Sequence, residues 1–118
     1  MLRRTALASI LLLAAAWPAA AQDTYAAADA ELNRLYQKIE SRLINDHATK
    51  QQLIKAQRAW VAFRDAECAF SASGVEGGSV YREVLEACLS DLTKVRIGNF
   101  NGYLSCQEGD MACPVPAN

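Results

Sequence analysis

The sequence of 118 residues lacks the motifs that mark most enzymes. It contains no glycine-rich phosphate loop, no serine nucleophile elbow and no metal-ligand spacing. Its single histidine, His47, stands beside Asp46 without a nucleophile nearby in sequence, and a lone histidine in a turn is more often solvated than catalytic. We therefore predict a protein that is not an enzyme, with no catalytic, cofactor-binding or metal-binding residues.

No apolar run is long enough to span a bilayer, which takes about 20 residues. The longest run, residues 6–17, follows two arginines and precedes Pro18 and three alanines at 19–21. A positive start, a short apolar segment and an A-x-A site are typical of a secretory signal peptide. We expect cleavage after Ala21 and a periplasmic or secreted protein without stable membrane insertion. A permanent membrane anchor is the alternative.

The chain also has no excess of basic over acidic residues. The chain has 12 Lys and Arg residues and 13 Asp and Glu residues. Loss of residues 1–21 would remove two basic residues and no acidic ones, which leaves a formal charge near −3. Nucleic acid is a poor partner for such a domain, because phosphate binding needs a basic face. A basic protein would be attracted to it at long range.

Four cysteines are an even number that fits disulfides in an oxidising compartment. Their spacings of 20, 18 and 7 do not match the two C-x(2–4)-C pairs of a zinc site. Three pairings are open. Geometry favours Cys68 with Cys88, which project from the inward faces of consecutive helices, and Cys106 with Cys113, which would close a small ring and pin the tail.

The chain also lacks an alternating apolar and polar stretch long enough to indicate a strand. Three segments of helical period instead predict an all-α fold. We expect a signal peptide at 1–21, a small three-helix domain at 22–105 and a tail at 106–118. A short turn joins the first two helices, so they should form a helical hairpin to which the third helix is added.

The first helix is predicted over residues 24–44. Asp46 or Thr49 would cap the second, which runs to about residue 70, and Ser79 would cap the third. The helical period also predicts which positions are buried. On the first helix these are Tyr25, Ala28, Leu32, Leu35, Tyr36, Ile39 and Leu43, and on the second they are Leu53, Ala56, Trp60, Val61, Phe63 and Cys68. On the third helix they are Tyr81, Val84, Leu85, Cys88, Leu92, Val95 and Tyr103.

An arginine, Arg64, falls in the middle of the apolar face of the second helix. A guanidinium near a core must be paired or stacked, since leaving it unpaired costs several kcal/mol. Its available partners are Glu67, Glu40 or Asp29 and the face of Trp60. We interpret these residues as a structural polar network that fixes helix packing, with a ligand site as the alternative. The network comprises Gln57, Trp60, Arg64 and Glu67.

Residues 71–79 form the one conspicuous loop, which is rich in glycine and serine. If Cys68 pairs with Cys88, a disulfide holds the base of this loop. We regard it as a candidate partner-binding loop, and a plain solvated connector is the alternative. The loop residues concerned are Ser73, Gly74, Glu76, Gly77, Gly78 and Ser79.

Several stretches resemble the lysozyme inhibitor LprI-like N-terminal domain family, formerly a domain of unknown function. They are residues 29–36, the Q-R-A-W run at 57–60, the R-D-A-E-C run at 64–68, residues 77–79 and Cys88. The resemblance covers most of the chain beyond residue 21. It implies a small helical, disulfide-bearing envelope domain and, for some members, inhibition of lysozyme.

Two functions are consistent with these features. The first is an inhibitor of lysozyme or of another cell-wall hydrolase, enzymes that use paired carboxylates in a cleft and are often basic, so that an acidic domain would be steered toward them. The loop would enter the cleft through backbone N–H groups and hydroxyls, although Glu76 would be repelled by the catalytic carboxylates. The second is a non-catalytic structural or assembly protein of the cell envelope.

Overall fold

The structure, a computed structural model, describes residues 24–117. Within them the chain forms three α-helices and no strand: α1 at Tyr25–Arg42, α2 at His47–Ser71 and α3 at Tyr81–Leu104. The predicted all-α, three-helix fold is confirmed. The predicted signal peptide at 1–21 lies outside the described residues. Across residues 24–117, no helix combines the length and apolar character needed to cross a membrane.

Polar side chains cap the first two helices. The Thr24 hydroxyl accepts a hydrogen bond from the Ala27 backbone N–H at 3.2 Å. The Asp46 carboxylate accepts one from the Thr49 backbone N–H at 3.0 Å, so Asp46 rather than Thr49 is the cap of α2. Hydrogen bonds from the Thr49 side chain and backbone lower the pKa of Asp46, because they favour its charged form.

The third helix begins differently, and the prediction that Ser79 caps it is wrong. The residue before α3 is Val80, and no side chain caps the first turn of this helix. A turn closed by the hydrogen bond from the Tyr81 N–H to the Gly78 carbonyl leads the chain directly into α3. A backbone carbonyl therefore accepts a hydrogen bond from the first N–H of α3, whereas side chains accept such bonds at the starts of α1 and α2.

The closest helix pair is α1 with α3, which lie far apart in the chain, and α2 also packs on α3. The joined helices α1 and α2 meet through longer side chains, such as Arg64 of α2 with Asp29 of α1. The last helix in the chain, α3, is therefore the one that packs closely on both of the others. The buried core consists of Leu32, Leu35, Ile39 and Leu43 of α1, Phe100 of α3 and Val115 of the tail.

The most buried face of α3 is not the predicted one. Val95 is 64% exposed and Val84 is also exposed, whereas Ser90, Thr93 and Phe100 are buried. At 100° per residue, the buried positions lie roughly 130° around the helix from the predicted face. The reason is that α3 has two neighbours: the predicted face carries Cys88, which is bonded to α2, and the other packs against α1.

The second helix buries less than expected. Phe63 is 55% exposed and Ala56 is exposed, although both were predicted on the inward side. Only Arg64 and Cys68 of this helix are buried. Because α2 packs along a narrow seam, a residue about 100° away around the helix, such as Phe63, already faces solvent.

Both predicted disulfides are present. Cys68 and Cys88 join α2 to α3 with their Cα atoms 5.5 Å apart, and Cys106 and Cys113 close a small ring after α3. No cysteine is left as a free thiol. Directly beyond the ring, the tail places Val115 in the core, so the second disulfide returns the chain to the helices.

We predict that the two disulfides stabilise the fold unequally. Replacing Cys68 and Cys88 with alanine removes a cross-link over 20 residues and should lower the free energy of unfolding by about 3 kcal/mol. Replacing Cys106 and Cys113, which are 7 residues apart, should cost about 1 kcal/mol less from chain entropy. Urea unfolding of both double variants measures this, and a larger loss for the tail pair would contradict it.

Candidate functional site

Arg64 lies at the centre of the seam along which α2 packs, and its guanidinium contacts two aromatic rings. Only 6% of the residue is exposed. Its guanidinium carbon is 5.1 Å from the centre of the Trp60 ring and 5.4 Å from that of Tyr25. It also pairs with Asp65 at 3.0 Å and with Asp29 at 3.8 Å. The burial cost of the cation is thus offset by stacking and by two carboxylates at the surface.

A second arginine, Arg96 of α3, approaches the same tryptophan. Its Nε donates a hydrogen bond to the Gln57 side-chain oxygen at 3.0 Å. Its guanidinium lies 4.7 Å from the centre of the Phe100 ring and 5.8 Å from that of Trp60. Burial lowers the pKa of Arg96, because desolvation disfavours the charged form. The indole of Trp60 is therefore shared by one cation from α2 and one from α3.

Three of the four predicted network residues take part in this arrangement, through a residue that the sequence analysis missed. Trp60 contacts both arginines, Arg64 is one of them, and Gln57 holds the other. Glu67, in contrast, is exposed and takes no part in these contacts. The signal for Arg96 was its position four residues before Phe100, which places both on one side of α3.

The six residues of the candidate loop are all exposed, yet the loop has a defined conformation. Its start is anchored by the fully buried Ala72, and a 3₁₀ turn follows at Ser73–Val75. The backbone N–H groups of Val75, Glu76 and Gly78 donate to carbonyls within residues 72–75. Gly77 has a φ of +80°, which favours glycine. The loop is therefore shaped before any partner arrives.

Apolar side chains flank this loop on both sides. Phe70, in the last turn of α2, is 76% exposed, and Phe63 lies seven residues earlier on the same face of the helix. Val80 and Val84 are exposed where α3 begins. Single exposed apolar residues are ordinary, but several beside a shaped loop are typical of a protein-binding surface. Phe70, at the predicted end of the second helix, was not singled out by the sequence analysis.

The remaining sequence candidates do not assemble into a chemical centre. His47 is exposed at the first position of α2. Within residues 24–117, no group of three or more His, Cys, Asp or Glu side chains is placed to hold a metal ion. What the described residues offer is a rigid aromatic and cationic seam and, beyond it, a loop with apolar flanks.

We predict that Arg64 stabilises the fold mainly by packing. Arg64→Ala should lower the free energy of unfolding by about 2 kcal/mol, since it removes both ring contacts and leaves a gap. Arg64→Met, which retains most of the volume, should cost much less, because the two aspartates it leaves are partly exposed. Urea unfolding compares the variants. Equal losses for both would show instead that the charge carries the effect.

Comparisons with known proteins identify a family for this chain. Residues 14–99 match the family described as Lysozyme inhibitor LprI. The chain is similar to an uncharacterised protein of Rhizobium meliloti (strain 1021), R02472, with 30% identity over 102 residues that cover 75% of this chain and 71% of the relative. No solved structure matches the chain. The chain therefore belongs to the lysozyme inhibitor LprI family.

Proposed function

We propose that this chain is an exported, non-catalytic protein that binds and inhibits a lysozyme-type cell-wall hydrolase. The observation that carries the proposal is the family match over residues 14–99. Two disulfides support an oxidising compartment such as the periplasm or the exterior, where such hydrolases act. The formal charge of −1 for the whole chain, or near −3 without residues 1–21, supports attraction to a basic enzyme.

The surface that best suits this role is the loop of residues 71–79 together with Phe70, which we name the loop face. The Cys68–Cys88 disulfide holds its base, so little conformational entropy is lost when a partner binds. Phe70 supplies a large exposed ring, and a few such anchors carry most of the affinity of protein interfaces.

The loop face differs from the mode of binding expected from the sequence. Since the N–H groups of Val75, Glu76 and Gly78 are bonded within the loop, they are not available to a partner. The hydroxyls of Ser73 and Ser79 and the ring of Phe70 are among the groups that can contact a partner. Glu76 would be repelled by catalytic carboxylates, so we propose that the loop face covers the rim of a cleft rather than filling its centre.

A non-catalytic structural or assembly role in the cell envelope is the second candidate. It is favoured by one observation, the exposed Phe63 and Phe70 on a single face of α2. Such a face suits a helix of another protein. This role predicts binding to an envelope protein without any effect on a hydrolase.

We predict that the purified protein inhibits at least one lysozyme. The chain should be produced with export to an oxidising compartment, so that its disulfides form, and titrated into c-type and g-type lysozymes. Loss of turbidity of a cell-wall suspension measures activity, and calorimetry measures binding. Saturable binding that lowers the rate supports the proposal. Absence of binding across both types would contradict it and leave the envelope role.

We further predict that the loop face carries the affinity. Phe70→Ala should weaken binding at least about tenfold, as expected for the loss of an anchor residue. Ile44→Ala is the matched control, because Ile44 is 74% exposed, close to the 76% of Phe70, but lies in the turn between α1 and α2. Its binding should stay within about twofold of the original protein. Equal effects of the two changes would place the interface elsewhere.

A further inference from the structure

Away from the loop face, the helices and the tail form an apolar cavity of about 180 Å³ that is open on one side. It lies where the C-terminal part of α1 and the first half of α2 meet the C-terminal half of α3, and Val115 of the tail forms part of its wall. Its apolar wall includes Ile39, Leu43, Leu53 and Tyr103. For comparison, an engineered apolar cavity of about 150 Å³ in another protein takes up benzene. The space therefore suits one ring or a short aliphatic chain.

The mouth of the cavity can be placed from the exposure of its lining. Gln52, Ala56 and Pro114 line the space and are also exposed, so the cavity opens to solvent between α2 and the tail. The Cys106–Cys113 ring directly precedes Pro114 and Val115, and it fixes the wall that the tail provides. A preformed opening of this kind admits a ligand without unfolding of a helix.

One residue that lines this apolar space is an arginine, Arg96. Its guanidinium is half-buried against Phe100, which is not itself part of the lining. Its recorded hydrogen-bond partner is the neutral side chain of Gln57. Among residues 24–117 no carboxylate lies within ion-pair distance of Arg96, whereas Arg64 has two. A partly desolvated guanidinium without a carboxylate favours an anionic ligand, because its bonds to a carboxylate are strong and directional.

We propose that this cavity is a binding site for a small monocarboxylate with an apolar body, either an aromatic acid or a short aliphatic one. The apolar body fills the space between Leu43, Leu53 and Val115, and the carboxylate pairs with Arg96. The apolar wall excludes fully polar acids, and the single cation disfavours neutral apolar molecules of the same size. The site shares no residue with the loop face and does not depend on the proposed inhibition.

The test uses a matched pair of probes, 3-phenylpropanoate and the neutral alcohol 3-phenylpropanol. Each is titrated into the ¹⁵N-labelled, exported protein, and the amide shifts are followed by NMR. We expect saturable shifts at Leu53, Ala56 and Val115, with a Kd of about 1 mM or tighter for the acid. The alcohol should bind at least about tenfold more weakly, as for the loss of a charge-assisted bond. Equal affinities, or no saturable shifts with the acid, would overturn the proposal.

Two variants of α2 locate the site. Ala56→Leu places a larger side chain at the mouth and should weaken binding of the acid at least about tenfold. Ala59→Leu is the control, because Ala59 is exposed on the same helix and does not line the cavity. Leucine is a good helix former and both positions are exposed, so neither change should disturb the fold. Undiminished binding by Ala56→Leu would overturn the assignment to this cavity.

Two variants of Arg96 test the charge. Arg96→Lys retains a cation and should still bind the acid more tightly than the alcohol. Arg96→Gln should bind the two probes equally. The ratio of the two affinities is measured within one variant, so it does not depend on any general loss of stability, which circular dichroism follows separately. A preference for the acid that persists in Arg96→Gln would show that Arg96 does not bind the carboxylate.

Discussion

The cross-link between Cys68 and Cys88 is the constraint on which the rest of the architecture depends. In the second helix only Arg64 and Cys68 are fully buried, and Leu53 and Trp60 are partly buried against the core, which is little apolar surface for a helix of 25 residues. A covalent bond to α3 adds to this packing, as disulfides do in small secreted domains. The same bond sets the base of the loop at residues 71–79. Helix position and loop shape therefore share one cause.

The seam beside this bond is built from Trp60 and two arginines rather than from aliphatic side chains. Trp60 lies close to two guanidinium groups, Arg64 from its own helix and Arg96 from α3. Guanidinium groups stack on rings while their charges stay near water, so they can join two helices that are not closely packed. We infer that this spacing also produces the cavity beyond Arg96, because helices joined through long side chains leave space that close-packed helices would fill.

The sequence allowed correct predictions where local chemistry decides the structure. The helical periods, the Asp46 cap that the sequence offered beside Thr49, and the disulfide pairs that helix geometry favoured depend on residues near one another in the chain. Prediction from the sequence failed where packing against a third element decides which residues are buried. The buried face of α3 could not be read from periodicity, because a helix between two neighbours has two inward faces and a weak amphipathic signal. Likewise, no local pattern shows that Val115, directly beyond the ring formed by Cys106 and Cys113, lies in the core.

The exposure of Phe63 and Phe70 has the same origin and connects the fold to its proposed use. A helix held by a disulfide and by Trp60 does not need Phe63 and Phe70 for packing, so these two residues can remain in solvent. In water such a face is unfavourable and promotes association, and a protein that keeps it gains most if a partner covers it. An inhibitor needs such a surface to be rigid before binding, because every side chain ordered at the interface reduces affinity. The disulfide that compensates for the small core would thus also keep the proposed binding surface rigid on a domain of this size.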